Sequence, residues 1–338
     1  MIVEMRRGST KAEIDAVVQR AKSFDLDVQL NFGTEKTVVA ILGSNTGQLS
    51  TDVFAVLPGV ESVTRVMKPY KLASRDFEAE DSIVTVDGVE IGGKRIVVMA
   101  GPCTVESEEQ LIETAEIVKE AGASVLRGGA FKPRTSPFTF QGLGEAGLSL
   151  LARAKEKVGI PVVTEVIDTR YVGIVSKYAD MLQIGARNMQ NFTLLTEVGK
   201  SKRPALLKRG LSATVTEWLT AADYLLSQGN SQVVLCERGI RTFEGSVRFS
   251  LDISSIPVVK IASHLPVIVD PSHAAGHFTL VPAIAKAAVA AGADGLIIEV
   301  HPNPKDALVD GLQSLTPSDF NRLMKELRAI AESLGRYI

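Results

Sequence analysis

From residue 94 to the end of the chain, short apolar runs alternate with longer amphipathic segments. The runs are RIVVMAG (95–101), SVLRGG (124–129), PVVTEVI (161–167), MLQIGA (181–186), PALLKRG (204–210), QVVLCERG (232–239), PVIVDPS (266–272) and DGLIIEV (294–300). Between them lie segments such as SEEQLIETAEIVKEAG and TVTEWLTAADYLLSQG, in which apolar residues recur every three or four positions. This alternation predicts parallel strands connected by helices.

Eight repeats of strand and helix fit within residues 94–338. They match a closed (β/α)8 TIM barrel better than an open doubly wound sheet, which typically has fewer strands and a glycine fingerprint after the first one. The first strand here is followed by Gly-Pro-Cys-Thr and not by that fingerprint. We therefore predict an α/β fold with a (β/α)8 barrel over residues 94–338.

Residues 1–70 break this rhythm. Their segments IVEMRR, STKAEIDAVVQRAKSF, DVQLNF, KTVVAILG, QLSTDVFAVLPG and VESVTRVMKP follow the order βαββαβ. That order predicts a small ferredoxin-like domain, with Ser9 or Thr10 as the N-cap of its first helix. Residues 71–93 are predicted to form a polar linker and a β-hairpin, whose Asp-Gly turn lies between two alternating runs at the floor of the barrel.

Composition and charge exclude several classes of protein. Hydrophobic residues make up 45% of the chain and charged residues 22%, and the net charge of −2 provides no field for nucleic acid or an anionic membrane. The longest apolar stretches are too short to span a bilayer, and the N-terminal segment does not resemble a signal peptide. Two distant cysteines, Cys103 and Cys236, are no disulfide framework. We expect a cytoplasmic protein without nucleic-acid or membrane partners.

Charged residues cluster where the eight predicted strands end, which is where TIM barrels carry their active sites. In chain order the strand-end residues are Cys103, Arg127, Lys132, Arg134, Glu165, Arg187, Lys208, Arg209, Glu237, Arg238, Asp270, His273, Glu299 and His301. Buried charges are costly unless they are paired or neutralised by a ligand. So many cations around one mouth indicate an anionic ligand, such as a phosphate or a carboxylate.

A metal site is the second chemical prediction. Cys103, His273 and Glu299 end strands that adjoin once the barrel closes, and Asp310 follows in a loop that can fold back. Sulfur, nitrogen and oxygen donors together favour a divalent transition metal. Taken singly, each residue is more often a buried thiol, a hydrogen-bonded imidazole or a paired carboxylate, so the prediction depends on their convergence. Cys236, inside the sixth strand, is predicted to be core packing.

Eight ordered motifs carry a resemblance to a known family. They are GPC (101–103), LRGG (126–129), KPRTS (132–136), IGARN (184–188), LLKRG (206–210), ERGIRTF (237–243), DPSH (270–273) and EVHP (299–302). With them the chain resembles the 3-deoxy-D-arabino-heptulosonate-7-phosphate (DAHP) synthases that have an N-terminal ferredoxin-like regulatory domain. The resemblance implies a transferase that condenses phosphoenolpyruvate, D-erythrose 4-phosphate and water and releases phosphate, as the first step of the shikimate pathway.

The resemblance also implies roles for individual residues. The implied ligands of a Mn, Fe, Co or Zn ion are Cys103, His273, Glu299 and Asp310. The implied phosphoenolpyruvate contacts are Arg127, Lys132 and Lys208 near its carboxylate, and the Ala186 backbone, Arg187 and Arg238 around its phosphate. Arg134 and Thr135 are implied for erythrose 4-phosphate. The predicted catalytic residues are Lys132, Glu165 and His301. The resemblance implies Lys132 as proton shuttle and Glu165 beside the attacking water, and we place His301 near the mouth, next to a ligand or the substrate.

Three other functions stay open. The 3-deoxy-D-manno-octulosonate-8-phosphate synthases share the barrel, but their aldose loop typically reads Lys-Ala-Asn-Arg where this chain has Lys132-Pro133-Arg134. An aldolase with Lys208 as a Schiff base and a non-catalytic sensor of phosphorylated metabolites are both disfavoured by the metal-ligand set. The resemblance finally implies a homo-oligomer, for which we favour a tetramer, and inhibition by tyrosine or phenylalanine bound where two small domains pair.

Overall fold

The computed structural model describes residues 1–33, 36–43, 46, 49–65, 68–134 and 136–338. These residues divide into two compact units, one of residues 1–80 with 261–264 and one of residues 81–260 with 265–338. None of the helices within the described ranges is both long and apolar enough to cross a lipid bilayer. The two units are described separately below.

The first unit contains a four-stranded antiparallel sheet. Its elements are β1 (Ile2–Met5), α1 (Lys11–Lys22), β2 (Asp27–Phe32), β3 (Thr37–Leu42), α2 (Asp52–Ala55) and β4 (Val60–Thr64). The strand order β2-β3-β1-β4, together with the βαββαβ chain order, confirms the predicted ferredoxin-like fold. Of the two expected N-caps, Thr10 caps α1, because its hydroxyl accepts from the Glu13 N–H and Glu13 accepts in return from the Thr10 N–H.

The second unit is a closed barrel of eight parallel strands, as predicted. Its strands are β7 (Val97–Gly101), β8 (Val125–Arg127), β9 (Val162–Glu165), β10 (Met181–Ile184), β11 (Ala205–Lys208), β12 (Val233–Glu237), β13 (Val267–Val269) and β14 (Gly295–Glu299). Its helices are α3 (Glu108–Ala121), α4 (Glu145–Val158), α5 (Thr169–Tyr178), α6 (Phe192–Lys200), α7 (Val215–Leu226), α8 (Ser255–Ala262), α9 (Pro271–Ala275), α10 (Val281–Ala290) and α11 (Pro317–Ser333). Pairing of β14 with β7 closes the ring.

A hairpin packs into the amino-terminal opening of the barrel. It consists of β5 (Val84–Val86) and β6 (Val89–Ile91), joined by Asp87 and Gly88, both with positive φ as a two-residue turn requires. The alternating side chains of the hairpin enter the same buried cluster as the inward residues of the strands, among them Met99 and Cys236. The barrel core therefore extends beyond its own strands at this end.

Candidate active site

The carboxyl ends of the barrel strands surround a cavity of about 270 Å³. Its wall carries seven cationic side chains, Arg127, Lys132, Arg134, Arg187, Lys208, Arg238 and Arg248. Two carboxylates, Glu165 and Asp310, also line it. This excess of positive charge in a concave site suits a ligand with several negative charges.

Three of the four predicted metal ligands cluster beside this cavity, and the fourth, His273, lies outside that cluster but next to one of its members. Cys103 Sγ and carboxylate oxygens of Glu299 and Asp310 all lie within 4.8 Å of one another. His273 Nε2 lies 3.5 Å from Glu299 Oε1. The fold brings them together because Cys103 follows β7, Glu299 ends the adjacent β14, and His273 lies in α9 directly after β13.

Glu299 has an oxygen that the protein leaves unsatisfied. Within the described part of the chain, Oε1 is buried and accepts no hydrogen bond, although it lies 3.3 Å from Arg127 Nη1. A buried carboxylate oxygen of this kind is costly unless a cation takes it up. With thiol, imidazole and carboxylate donors around it, the cluster fits a divalent transition-metal ion.

The surroundings of these donors shift their pKa values in different directions. Burial, and then the charge of Glu299, raise the pKa of the Cys103 thiol, although Lys132 Nζ lies 2.8 Å from the sulfur. Burial lowers the pKa of His273 to about 4 against the opposing effect of Asp270, which leaves the imidazole neutral and able to coordinate. The pKa of Asp310 stays well below its usual range, because Lys132 and other cations outweigh burial. Cys103 is thus the donor that must lose a proton before it can ligate.

Asp270 holds two of the site residues. Its carboxylate forms a buried ion pair with Lys208, and its Oδ2 lies 2.8 Å from His273 Nδ1, a contact short of a well-aligned hydrogen bond. It also accepts a hydrogen bond from the His273 backbone N–H, as the N-cap of α9. With Nδ1 beside this carboxylate, His273 turns Nε2 towards Glu299.

Arg238 is a buried cation of the cavity wall with a donor left unpartnered within the described ranges. Its guanidinium is buried and lies 4.1 Å above the Phe249 ring, and its Nη1 has no hydrogen-bond partner among the described residues. Burial lowers its pKa, and the neighbouring Arg248 and Arg187 lower it further against Asp270. A bound anion would supply the missing partner.

Comparison with known proteins assigns this arrangement to a family. The model of the DAHP synthetase I family matches residues 76–334, and that of the DAHP synthase ferredoxin-like domain matches residues 1–68. The chain belongs to the DAHP synthase family of enzymes. The phospho-2-dehydro-3-deoxyheptonate aldolase of Thermotoga maritima is 49% identical over 335 residues, which cover 99% of each chain.

Solved DAHP synthase structures agree with the fold. A crystal structure of the Thermotoga maritima enzyme matches with a TM-score of 0.79 at 48% identity, over 99% of this chain and 98% of that one. A truncated form of DAHP synthase from Thermotoga maritima matches with a TM-score of 0.75 at 46% identity, over 80% and 99%. A 2-dehydro-3-deoxyphosphooctonate aldolase of Francisella tularensis is 33% identical, over 72% of this chain and 96% of its own.

Some predicted residues of this DAHP synthase family member lie elsewhere. Arg209 pairs with Glu237 at 2.8 Å and Asp252 at 2.9 Å, outside the residues that line the cavity. His301 is buried with Nε2 3.4 Å from Glu106 Oε2, and it too is not among the described residues that line the cavity. Thr135 lies outside the described residues.

Glu237, Asp270 and Glu299 are buried and are likewise not among the described residues that line the cavity. The other predicted residues line it, and one further residue joins them. Glu165 accepts a hydrogen bond from Gln183 Nε2 at 3.1 Å, and Ala186 opens the short 3₁₀ turn that carries Arg187. Sequence reasoning missed Arg248, which lines the cavity from the loop between β12 and α8. The only signal was a cation in a loop that returns to the barrel mouth, and strand-end analysis does not detect such residues.

Proposed function

We propose that this enzyme condenses phosphoenolpyruvate, D-erythrose 4-phosphate and water to 3-deoxy-D-arabino-heptulosonate 7-phosphate and phosphate, with the help of a divalent metal ion. One observation carries the proposal: among the described residues, seven cations line a single cavity, and Cys103 and Asp310 on its wall form a cluster with the buried Glu299. Such a cavity suits two phosphorylated substrates beside a metal. The name of the Thermotoga maritima relative supports this choice of reaction.

The cations are proposed to divide between the substrates. Arg127, Lys132 and Lys208 bind phosphoenolpyruvate near its carboxylate. Its phosphate takes up the unpaired donor of Arg238, together with Arg187 and the Ala186 backbone. Arg134 and Thr135 bind erythrose 4-phosphate. Pro133 fixes the backbone between Lys132 and Arg134 at φ near −65°, which stiffens the spacing of the two cations.

The metal is proposed to bind Cys103, His273, Glu299 and Asp310. When bound there, it supplies a Lewis acid that polarises the aldehyde oxygen of erythrose 4-phosphate. Mn, Fe, Co and Zn all suit this mixed donor set, because sulfur, nitrogen and oxygen ligands together do not select strongly for one divalent metal.

The side chains then have distinct tasks in the reaction. Arg127 and Lys208 hold phosphoenolpyruvate so that its C3 faces the aldehyde carbon, and a carbon–carbon bond forms. Burial lowers the pKa of Lys132, but Cys103, Glu299 and Asp310 raise it overall, so Lys132 keeps a proton that it can donate to the former aldehyde oxygen, which thereby becomes a hydroxyl. Glu165 orients the water that adds at C2. Arg187 and Arg238 stabilise the charge of the departing phosphate.

The choice of aldose tests this proposal against the alternative that the enzyme makes 3-deoxy-D-manno-octulosonate 8-phosphate. A 2-dehydro-3-deoxyphosphooctonate aldolase is 33% identical to this chain, so the alternative needs a direct test. A heptulosonate needs a four-carbon aldose phosphate to join the three carbons of phosphoenolpyruvate, whereas an octulosonate needs five. Phosphate release should be measured with each aldose separately and in competition. We expect a strong preference for erythrose 4-phosphate, and a preference for D-arabinose 5-phosphate would overturn the assignment.

A Schiff base at Lys208 is not part of the proposed mechanism. The Lys208 ammonium is buried in an ion pair with Asp270, and a lysine nucleophile must instead be neutral. Borohydride added during turnover should therefore trap no substrate on the protein. A borohydride-stable adduct at Lys208 would replace the proposed mechanism with a covalent one.

Regulation is proposed for the ferredoxin-like domain. We expect tyrosine or phenylalanine to inhibit a homo-oligomer, favoured as a tetramer, by binding where two small domains pair. Deletion of residues 1–70 should then leave an active barrel that neither amino acid inhibits, and a truncated DAHP synthase of Thermotoga maritima has yielded a structure. Inhibition that survives the deletion would place the effector site in the barrel. A full-length enzyme indifferent to both amino acids would remove the proposal.

A further inference from the structure

Gln313 connects a predicted metal ligand to the cavity wall. It lies in the 3₁₀ turn directly after Asp310, and only 2% of it is exposed. Its Nε2 donates to Glu299 Oε2 at 2.7 Å, and its Oε1 accepts from Arg248 Nη1, also at 2.7 Å. Since a guanidinium can only donate and a carboxylate can only accept, a single orientation of the amide satisfies both neighbours.

The Gln313 amide makes the two oxygens of Glu299 different from each other. Oε2 is tied to Gln313, whereas Oε1 accepts no hydrogen bond within the described residues and lies 3.5 Å from His273 Nε2. The carboxylate cannot rotate without breaking the bond to Gln313. Gln313 therefore keeps one oxygen of Glu299 available beside the other donors.

Arg248 extends this control to a second ligand. Its Nη1 lies 3.3 Å from Asp310 Oδ1 as well as 2.7 Å from Gln313. The backbone around it is anchored to the helix that carries His273, because the Arg248 N–H donates to Ala275 O at 3.2 Å. Arg248 thus contacts Asp310 directly and reaches Glu299 through Gln313.

We propose that Gln313 and Arg248 are positioning residues of the metal site: Gln313 orients the Glu299 carboxylate, and Arg248 fixes both the Gln313 amide and Asp310. The inference rests on the metal ion of the proposed function. Partners that orient metal ligands typically change metal affinity by about 10–100-fold when they are removed.

Titration of the metal-free protein with Co²⁺ tests Gln313. Gln313→Met keeps the length of the side chain but removes both hydrogen bonds, and we expect the Kd for Co²⁺ to rise by about 10–100-fold with a changed visible spectrum. Gln232→Met is the matched control. Gln232 lies just before β12, at the opposite end of the barrel, where its Oε1 accepts from the Thr85 N–H at 2.9 Å. This variant should bind Co²⁺ like the unsubstituted chain.

Arg248 provides the second test, and its partly exposed side chain makes substitution there safe for folding. Arg248→Met should weaken Co²⁺ binding several-fold, and Arg248→Lys, which can still donate one hydrogen bond, should recover part of the loss. In a chain that already carries Gln313→Met, Arg248→Met should weaken Co²⁺ binding by a smaller factor, because Arg248 can no longer reach Glu299 through the Gln313 amide.

The outcomes separate this inference from the proposed function. Co²⁺ affinity that is equal in Gln313→Met and the unsubstituted chain overturns the inference alone. If Arg248→Met raises the Kd for Co²⁺ by the same factor in the unsubstituted chain and in the Gln313→Met chain, Arg248 does not act on Glu299 through Gln313. Should Gln313→Met fail to fold, unchanged affinity in Arg248→Met overturns the proposal by itself. An unsubstituted chain that binds no Co²⁺ removes the metal from the proposed function and this inference with it.

Discussion

The two ends of the barrel use charged residues in opposite ways. At the amino-terminal end, Asp294 pairs with Lys260 at 3.0 Å and with Arg336 at 3.1 Å, and it accepts a hydrogen bond from the Val267 N–H. At the carboxyl end, within the described residues, Arg238 Nη1 and Glu299 Oε1 have no hydrogen-bond partner. The same strands connect both ends. The difference indicates that the charges around Asp294 stabilise the fold, whereas the carboxyl end, besides its own ion pairs, keeps polar atoms available for a ligand.

Removal of a thiol at the carboxyl end should have the largest effect on activity. Cys103→Ala is expected to abolish both metal binding and turnover, as a chelator should in the unsubstituted chain, while the free energy of unfolding changes by no more than about 1 kcal/mol. Metal analysis, phosphate-release assays and calorimetry check these outcomes. Cys236→Ala is the control, because Cys236 lies in the barrel core and its loss should leave metal and turnover intact. Metal-dependent turnover in Cys103→Ala would show that this thiol is no ligand.

The amino-terminal end should show the reverse behaviour. Asp294→Asn removes a buried charge between two cations, and we expect a loss of about 3 kcal/mol in the free energy of unfolding. The kcat/KM of the folded enzyme at 25 °C should not change, because Asp294 lies at the far end of the barrel. Urea denaturation and steady-state kinetics measure the two quantities. A fall in kcat/KM without loss of stability would contradict the proposed division between the ends.

Two arginines sharpen the comparison within the carboxyl end. Arg134→Ala should raise KM mainly for erythrose 4-phosphate and Arg187→Ala mainly for phosphoenolpyruvate, since each loses a charge-assisted contact of about 1.5–3 kcal/mol. Arg170→Ala is the control, because Arg170 forms an exposed pair with Asp168. Initial rates with each substrate varied in turn measure the effects. Equal impairment towards both substrates in both variants would refute the proposed partition of the cations.

Proton release should accompany metal binding at the carboxyl end. Burial and Glu299 raise the pKa of the Cys103 thiol, so the metal-free protein holds a proton that the metal must displace. Affinity should therefore fall as the pH falls, by about tenfold, or ~1.4 kcal/mol, per pH unit. Calorimetry in buffers with different ionisation enthalpies measures the released proton. An affinity independent of pH around neutrality would mean that the thiol stays protonated and does not ligate.

The fold could be predicted because its signals are local and periodic. Runs such as SVLRGG and DGLIIEV end close to where β8 and β14 end, at Arg127 and Glu299. Strand ends can be located from apolar patterning alone, so several cavity residues could be named before their partners were known. Some strands, such as β8, are shorter than the runs that predicted them.

Pairing at the site could not be predicted in the same way. Lys208 and Arg209 are consecutive, but successive side chains on a strand point to opposite faces, and only Lys208 lines the cavity. Asp310 lies well beyond the end of β14 in a turn with φ of 53°, so it was included as a loop residue that can fold back, and periodicity did not place it. Arg248 comes from a loop without either signal. Which loop residues return to a barrel mouth depends on tertiary contacts that sequence patterns do not encode.

The hairpin of β5 and β6 determines how ligands enter and leave the barrel. Because its apolar side chains fill the amino-terminal opening, the described barrel offers ligands the opposite mouth for both entry and exit. A molecule bound against Arg127, at the end of β8, must therefore enter and leave through that mouth. The hairpin at the amino-terminal end thus makes ligand exchange one-sided, so that every molecule bound in the cavity uses the same opening.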